Sequence, residues 1–279
     1  MKAFAQRYCR NYGAVIGLVV LLLVVAVALL APVLYEESPW LMVGDPLVRP
    51  FAEAAFPFGT DMLGRDITAG MLYGARVSLL VGVISTGVAL VFGILIGSVA
   101  GYCGGRIDDA LMRFTEFFQT IPQLAMAVVI VAIFNPTIYS IVAAISVVSW
   151  PPVARLVRGE FLTLKQREFV QAAVVIGQKP LRIILTQILP NAMSPIIVSA
   201  SFMVATAILT ESALSFLGLG DRNMMSWGFM IGAARTMIRE AWWMSVWPGV
   251  AILLTVLSIN LIGEGLNDAM NPQLRRRGE

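Results

Sequence analysis

Val77–Gly105 reads VSLLVGVISTGVALVFGILIGSVAGYCGG, and no Asp, Glu, Lys or Arg interrupts it. About 20 apolar residues suffice for a helix to cross the hydrocarbon core of a bilayer, so this window spans with residues to spare. Four more windows are free of charge: 11–35, 117–154, 183–210 and 241–263. The window 117–154 is long enough for two helices and is broken in its middle by Asn135-Pro136. The expected fold is an all-α integral membrane domain with six spans, near 12–34, 77–101, 117–134, 137–157, 191–216 and 243–263.

Composition agrees. Of 279 residues, 13% are charged and 58% hydrophobic, whereas a soluble domain carries about 25% charged residues. Six spans leave too little chain for a separate soluble domain, so a single transmembrane domain over 1–279 is expected, with an outer loop at 35–76 and a cytosolic loop at 158–190. No basic patch suggests nucleic acid. The chain has no histidine and two remote cysteines, Cys9 and Cys103. It therefore lacks metal-ligand spacing, a redox motif and the commonest general base. No G-x-x-x-x-G-K-[ST] run is present, so ATP cannot bind through a P-loop of this chain. No cofactor is expected.

Lys2, Arg7 and Arg10 precede an apolar stretch of about 21 residues, longer than the roughly 7–15 of a signal peptide, which reads as a retained first span. With the N-terminus inside, the inner segments 1–10, 102–116, 155–190 and 264–279 hold 14 of the 20 basic residues, and the outer segments 35–76 and 218–245 hold 6. That bias predicts cytosolic N- and C-termini, with Arg275-Arg276-Arg277 at the inner end of the last span.

The loops carry the remaining information. In the outer loop, Thr60 or Asp61 is placed to cap a short amphipathic helix through Leu63, Ile67 and Met71. The simple reading is an interfacial helix; the functional one is a docking or gating element built on Gly59, Thr60, Asp61, Arg65 and Asp66. At the inner turn, Gly104-Gly105 gives backbone freedom, Asp108 and Asp109 suit a helix N-terminus, and Ile107, Leu111, Phe114 and Phe118 form a stripe expected on the membrane surface. Pro151-Pro152 should kink or end span four. Glu211, near the outer end of span five, either reaches water or caps a break; because intramembrane carboxylates are costly, an outer gate is the functional alternative. Glu264 reads as a solvated rim at the inner end of span six.

The loop 155–190 is the most basic and the best patterned. Phe169, Ala172, Ala173 and Ile176 keep helical spacing, Gly177 can end that helix in the left-handed region, Pro180 can open another, and Pro190 precedes span five. This gives a short cytosolic helix whose small residues let another surface approach.

Gln171-Ala-Ala-x-x-x-Gly177 followed by Ile188-Leu-Pro190 resembles the E-A-A-x-x-x-G…L-P coupling loop of the permease subunits of ATP-binding-cassette importers. Pro57-Phe-Gly-Thr-Asp-x-Leu-Gly-Arg-Asp66, Gly74-Ala-Arg-Val-Ser-Leu79 and Leu214-Ser-Phe-Leu-Gly-Leu-Gly220 resemble the dipeptide/oligopeptide/nickel branch, and within it the shorter C-type permease, over roughly residues 10–272. The resemblance implies the type I importer permease fold. It implies partners as well: a second homologous permease, two cytosolic ATPase subunits, an extracytoplasmic solute-binding protein and membrane lipid. The coupling residues would be Glu168, Gln171, Ala172, Ala173, Gly177 and Pro190. Gln171 departs from the family Glu, which puts in doubt any salt bridge there; Glu168 lies one turn earlier. Such a chain moves peptides or a related small solute by alternating access and is not itself an enzyme. The rivals are an ion-gradient-driven transporter, disfavoured by the lack of a clear inverted repeat, and a membrane-embedded enzyme, for which no nucleophile–base or metal set is visible.

Overall fold

The computed structural model describes residues 8–36 and 38–270. Lys2, Arg7 and Arg275-Arg276-Arg277, which enter the orientation argument, lie outside them. Among the described residues the helices are α1 (Tyr12–Leu34), α2 (Ile67–Cys103), α3 (Gly105–Thr120), α4 (Gln123–Phe134), α5 (Ile138–Lys165), α6 (Glu168–Val175), α7 (Pro180–Leu219), α8 (Trp227–Ala234) and α9 (Trp243–Met270), and no strand is present. Helices α1, α2, α5, α7 and α9 are each long and apolar enough to cross a membrane. A sixth crossing exists if the bent pair α3–α4 counts as one.

Several boundaries differ from expectation for physical reasons. The separate outer helix does not form; α2 starts at Ile67 and runs unbroken through the expected start of span two. Its cap is Asp66, which accepts from the Thr68 amide, not Thr60 or Asp61. Gly70 and Gly74 stay helical there because they pack against Met230 and Trp227. At about 1.5 Å per residue α2 is roughly 55 Å long, so it extends well beyond a bilayer core. Span three begins earlier than expected, and α3 turns by 83° into α4. Pro122 drives the turn, since the residue before proline is excluded from the α region, and Ile121 is extended. Pro151 and Pro152 do not end α5, which continues to Lys165 and takes in the start of the expected cytosolic loop. Pro190 lies inside α7 instead of ahead of it. Its missing N–H breaks the helical ladder, and the turn before it, Ile184–Ile188, has widened to a π-helix in which the Leu189 amide reaches the Ile184 carbonyl.

The bundle is held by close backbone approach, as suits helices in lipid. A Cβ at Gly93 would run into Val153, one at Gly97 into the Ala154 carbonyl and one at Gly101 into Phe161, so α5 lies directly on α2. Gly17 similarly admits Ser258 and Leu261 of α9 to α1, and Asn11 donates to Asp268 at 3.0 Å across the same pair. Residues 38–66 fold as a cap over one end of the bundle, where Phe58 stacks on Trp247 at 4.6 Å and Trp40 meets Phe229 at 5.3 Å. The opposite end carries the α2–α3 turn and α6.

Candidate functional site

At the end opposite the cap, α6 is a two-turn helix closed by a Schellman arrangement. Gly177 adopts φ +76°, its amide donates to the Val174 carbonyl at 2.9 Å, and the Gln178 amide donates to Ala173 at 3.1 Å. Both are the bonds that satisfy the last helical carbonyls. Pro180 then occupies the first turn of α7. Val170 and Ala173 face inward, into a cluster with Phe161, Ile183 and Ile188. Glu168, Gln171, Ala172 and Gly177 are exposed.

Ala173 therefore does not share the outward face assigned to it; it is 4% exposed and anchors α6 to the bundle. The sequence reading also missed Val175 and Ile176, 85% and 72% exposed beside Ala172 and Val174. Their signal was the spacing of Val170 and Ala173, which at 100° per residue leaves Val175 on the opposite side and Val174 and Ile176 on the flanks. Gln171 donates through Nε2 to the Lys165 carbonyl at 2.9 Å and so helps cap α5. A Glu at this position would lack that donor. Pro190 is well along α7 and does not join the set.

Above α6, Arg158 makes two bonds to Asp108, Nε to Oδ1 at 2.5 Å and Nη2 to Oδ2 at 2.7 Å, and ties α5 to α3. Lys165 Nζ donates to the Tyr102 carbonyl at the end of α2. Phe114 and Phe118 pack on Trp150, at 5.8 and 5.4 Å, so that end of the stripe contacts α5, while Ile107 and Phe114 stay half exposed.

The cap residues are brought together by their own hydrogen bonds. Thr60 is fully buried; its Oγ1 donates to the Asp45 carbonyl and accepts from the Val48 amide, and its carbonyl accepts from Trp243 Nε1. Gly59 has φ +82°, and a Cβ there would run into the Val48 carbonyl. Asp61 Oδ1 accepts from the Leu63 and Arg65 amides at 2.8 and 2.9 Å. Arg65 lies 5.0 Å over the Trp40 ring. Burial, and then the neighbouring Asp66 carboxylate, push the Tyr35 phenol above its ordinary range. This network fixes the cap on α8 and α9.

Glu211 is separate from the cap motif and does not reach water. It is 2% exposed, and its Oε1 accepts from Ser215 at 2.8 Å and from Ser226, the cap of α8, at 2.7 Å. Oε2 has no hydrogen-bond partner among the described residues. Gly228 lies against the carboxylate, where a Cβ would be 2.7 Å from Oε2. Glu211 thus joins the end of α7 to α8. Beside Ser215 a cavity of about 340 Å³ opens past Gly218, Arg222 and Arg235. Among the described residues no group of acidic, Cys or His side chains is placed to hold a metal ion.

The structure is a bundle of apolar helices long enough to span a membrane, with a folded cap at one end and an exposed, glycine-closed helix at the other. The chain belongs to the family described as binding-protein-dependent transport system inner membrane component, whose model matches residues 93–276. The N-terminal transmembrane domain of oligopeptide transport permease C matches residues 1–45. The chain is 41% identical to the di/tripeptide transport system permease protein DppC of Pseudomonas aeruginosa, over 99% of this chain and 93% of that one. It is 37% identical to the oligopeptide transport system permease protein OppC of Haemophilus influenzae, over 97% and 88%. The inward-facing MetNI methionine ABC transporter shares the fold at TM-score 0.60 and 16% identity, over 72% of this chain and 97% of that one. The chain is the C-type permease subunit of an ATP-driven importer, which sets aside an ion-gradient mechanism.

Proposed function

We propose that this chain pairs with a second, homologous permease in a bacterial inner membrane, with both termini cytosolic, and carries small peptides or a related solute inward by alternating access. An extracytoplasmic binding protein delivers the solute to the cap end. ATP is hydrolysed on two separate cytosolic subunits, whose closure is received by α6 and passed to α5 and α7. The observation that carries this reading is the α6 surface: apolar Val174, Val175 and Ile176 stand exposed beside Glu168, Gln171 and Ala172. Exposed apolar side chains gathered on one short helix mark a protein contact. On the inward side Ala173 and Val170 couple the helix to the bundle. The peptide assignment rests on the names of the relatives.

Glu211 and Ser226 act at the outer gate, where they hold α8 on the end of α7. The cap, with Gly59, Thr60, Asp61, Arg65 and Asp66, is the platform on which the binding protein docks. Proteoliposomes containing the chain and its partners test the reading. Dialanine uptake should require both ATP and the binding protein. Equal uptake driven by a proton or sodium gradient without ATP would contradict it.

A further inference from the structure

Helix α3 carries an exposed stripe of charged residues. At 100° per residue, Arg106, Asp109, Arg113, Glu116 and Thr120 fall within about 80° of arc, and all five are exposed. The opposite side, Asp108, Met112 and Thr115, is buried. The ion pairs within 4 Å among the described residues are Asp61–Arg65 and Asp108–Arg158, so none of the four stripe charges makes such a pair there, although Asp109 and Glu116 also act electrostatically on Arg158.

The depth of this stripe makes it unusual. Exposed apolar residues on α2 run from Leu80 to Val99, about 29 Å at 1.5 Å per residue, which matches a hydrocarbon core. Phe114 and Phe118, which flank Glu116, both pack on Trp150, whose carbonyl lies against Gly93 of α2. Val99 is six residues further toward the α6 end, or about 9 Å. Arg113 and Glu116 therefore lie within the thickness of the bilayer, level with α2 side chains suited to lipid. Charged side chains at such depth face the bundle interior or a water-filled cavity.

We infer that the α3 stripe lines the cytosolic half of a water-filled translocation pathway, with Arg113 and Glu116 as its deepest charged contacts for the solute. The inference rests on the permease reading and on cytosolic termini. The stripe alternates sign in the order Arg106, Asp109, Arg113, Glu116, so it carries no net charge and does not trap ions of one sign. It offers a carboxylate and an ammonium group partners one turn apart, which suits a zwitterion such as a short peptide. The 83° turn after Thr120 ends the stripe and marks the depth at which the polar lining stops.

The test uses the assembled complex in inside-out vesicles. With Cys9→Ser and Cys103→Ser as the parent, Asp109→Cys, Arg113→Cys, Glu116→Cys and, as a lipid-facing control, Leu95→Cys are treated with a membrane-impermeant thiol reagent. Without nucleotide, the three stripe positions should label at least about tenfold faster than Leu95→Cys, because only a hydrated thiol forms the reactive thiolate. Trapping with ATP and vanadate should slow labelling at Arg113→Cys and Glu116→Cys several-fold. Labelling no faster than the control overturns the inference and assigns the stripe to a partner-permease contact. Fast labelling that ignores nucleotide also overturns it and places the stripe on the cytosolic surface. Failure of the parent complex to show ATP-dependent uptake in right-side-out proteoliposomes supplied with the binding protein faults the importer reading instead, separately from the nucleotide-free labelling.

Discussion

Neighbouring alanines on α6 should respond to the same substitution in opposite ways. Ala173 is buried among Val170, Phe161, Ile183 and Ile188, whereas Ala172 is exposed. Ala173→Asp places an unpaired carboxylate in an apolar cluster, a change that typically costs about 3–5 kcal/mol. Ala172→Asp is a surface change worth about 0.5 kcal/mol or less. Arg167 and Arg182 flank the helix, so trypsin cleavage of the purified complex reads its local opening. At about 1.4 kcal/mol per tenfold, Ala173→Asp should be cut about a hundredfold faster or more. Ala172→Asp should stay within about twofold of wild type. Both should lose uptake, the first because the platform melts and the second because a charge enters the contact with the ATPase. Cleavage of Ala173→Asp at the wild-type rate would refute the burial argument. Normal uptake by Ala172→Asp would refute the docking face.

Arg158→Met should lower thermal stability by about 3 kcal/mol, because it leaves Asp108 buried without its partner, and Arg158→Lys should recover only part of that, since it cannot make the two-point bond; equal melting of all three forms would remove the pair from the account. Gly228→Ala should destabilise by about 1–3 kcal/mol through overpacking against Glu211 and Ser212, measured by melting in detergent, and an unchanged midpoint would show that α8 is not clasped to α7. Cys9 and Cys103 are both exposed, so with cytosolic termini neither should react with an impermeant thiol reagent on intact spheroplasts, and labelling of either would invert the orientation.

The apolar spans were legible because uncharged windows need no tertiary information. The closure of α6 was legible for a similar reason: Gly177 and Pro180 are local signals with fixed backbone consequences. What escaped depended on partners far along the chain. Asp108 reads as a helix-dipole residue until Arg158 is brought to it, and Glu211 reads as reaching water or capping a break until Ser226, the cap of α8, is brought to it. The face of Ala173 was misjudged because it was grouped with its small neighbour Ala172 on an outward face, whereas it packs inward with Val170. The turn between α3 and α4 was written in Ile121-Pro122, but an uncharged window gives no weight to a single proline. The cap motif was visible as a motif only, since its pattern does not reveal that Thr60 and Gly59 are spent on folding the loop.

The central claim is that α6 receives the ATPase, and Val175, the most exposed large apolar side chain on that helix, can test it directly. With a photo-crosslinking amino acid at Val175 and another at Leu95, the assembled complex is irradiated in membranes and its adducts are separated by mass. The account predicts a cross-link from Val175 to an ATPase subunit and none from Leu95. An intact, transport-competent complex that gives no ATPase adduct from Val175, or gives it equally from Leu95, would contradict it.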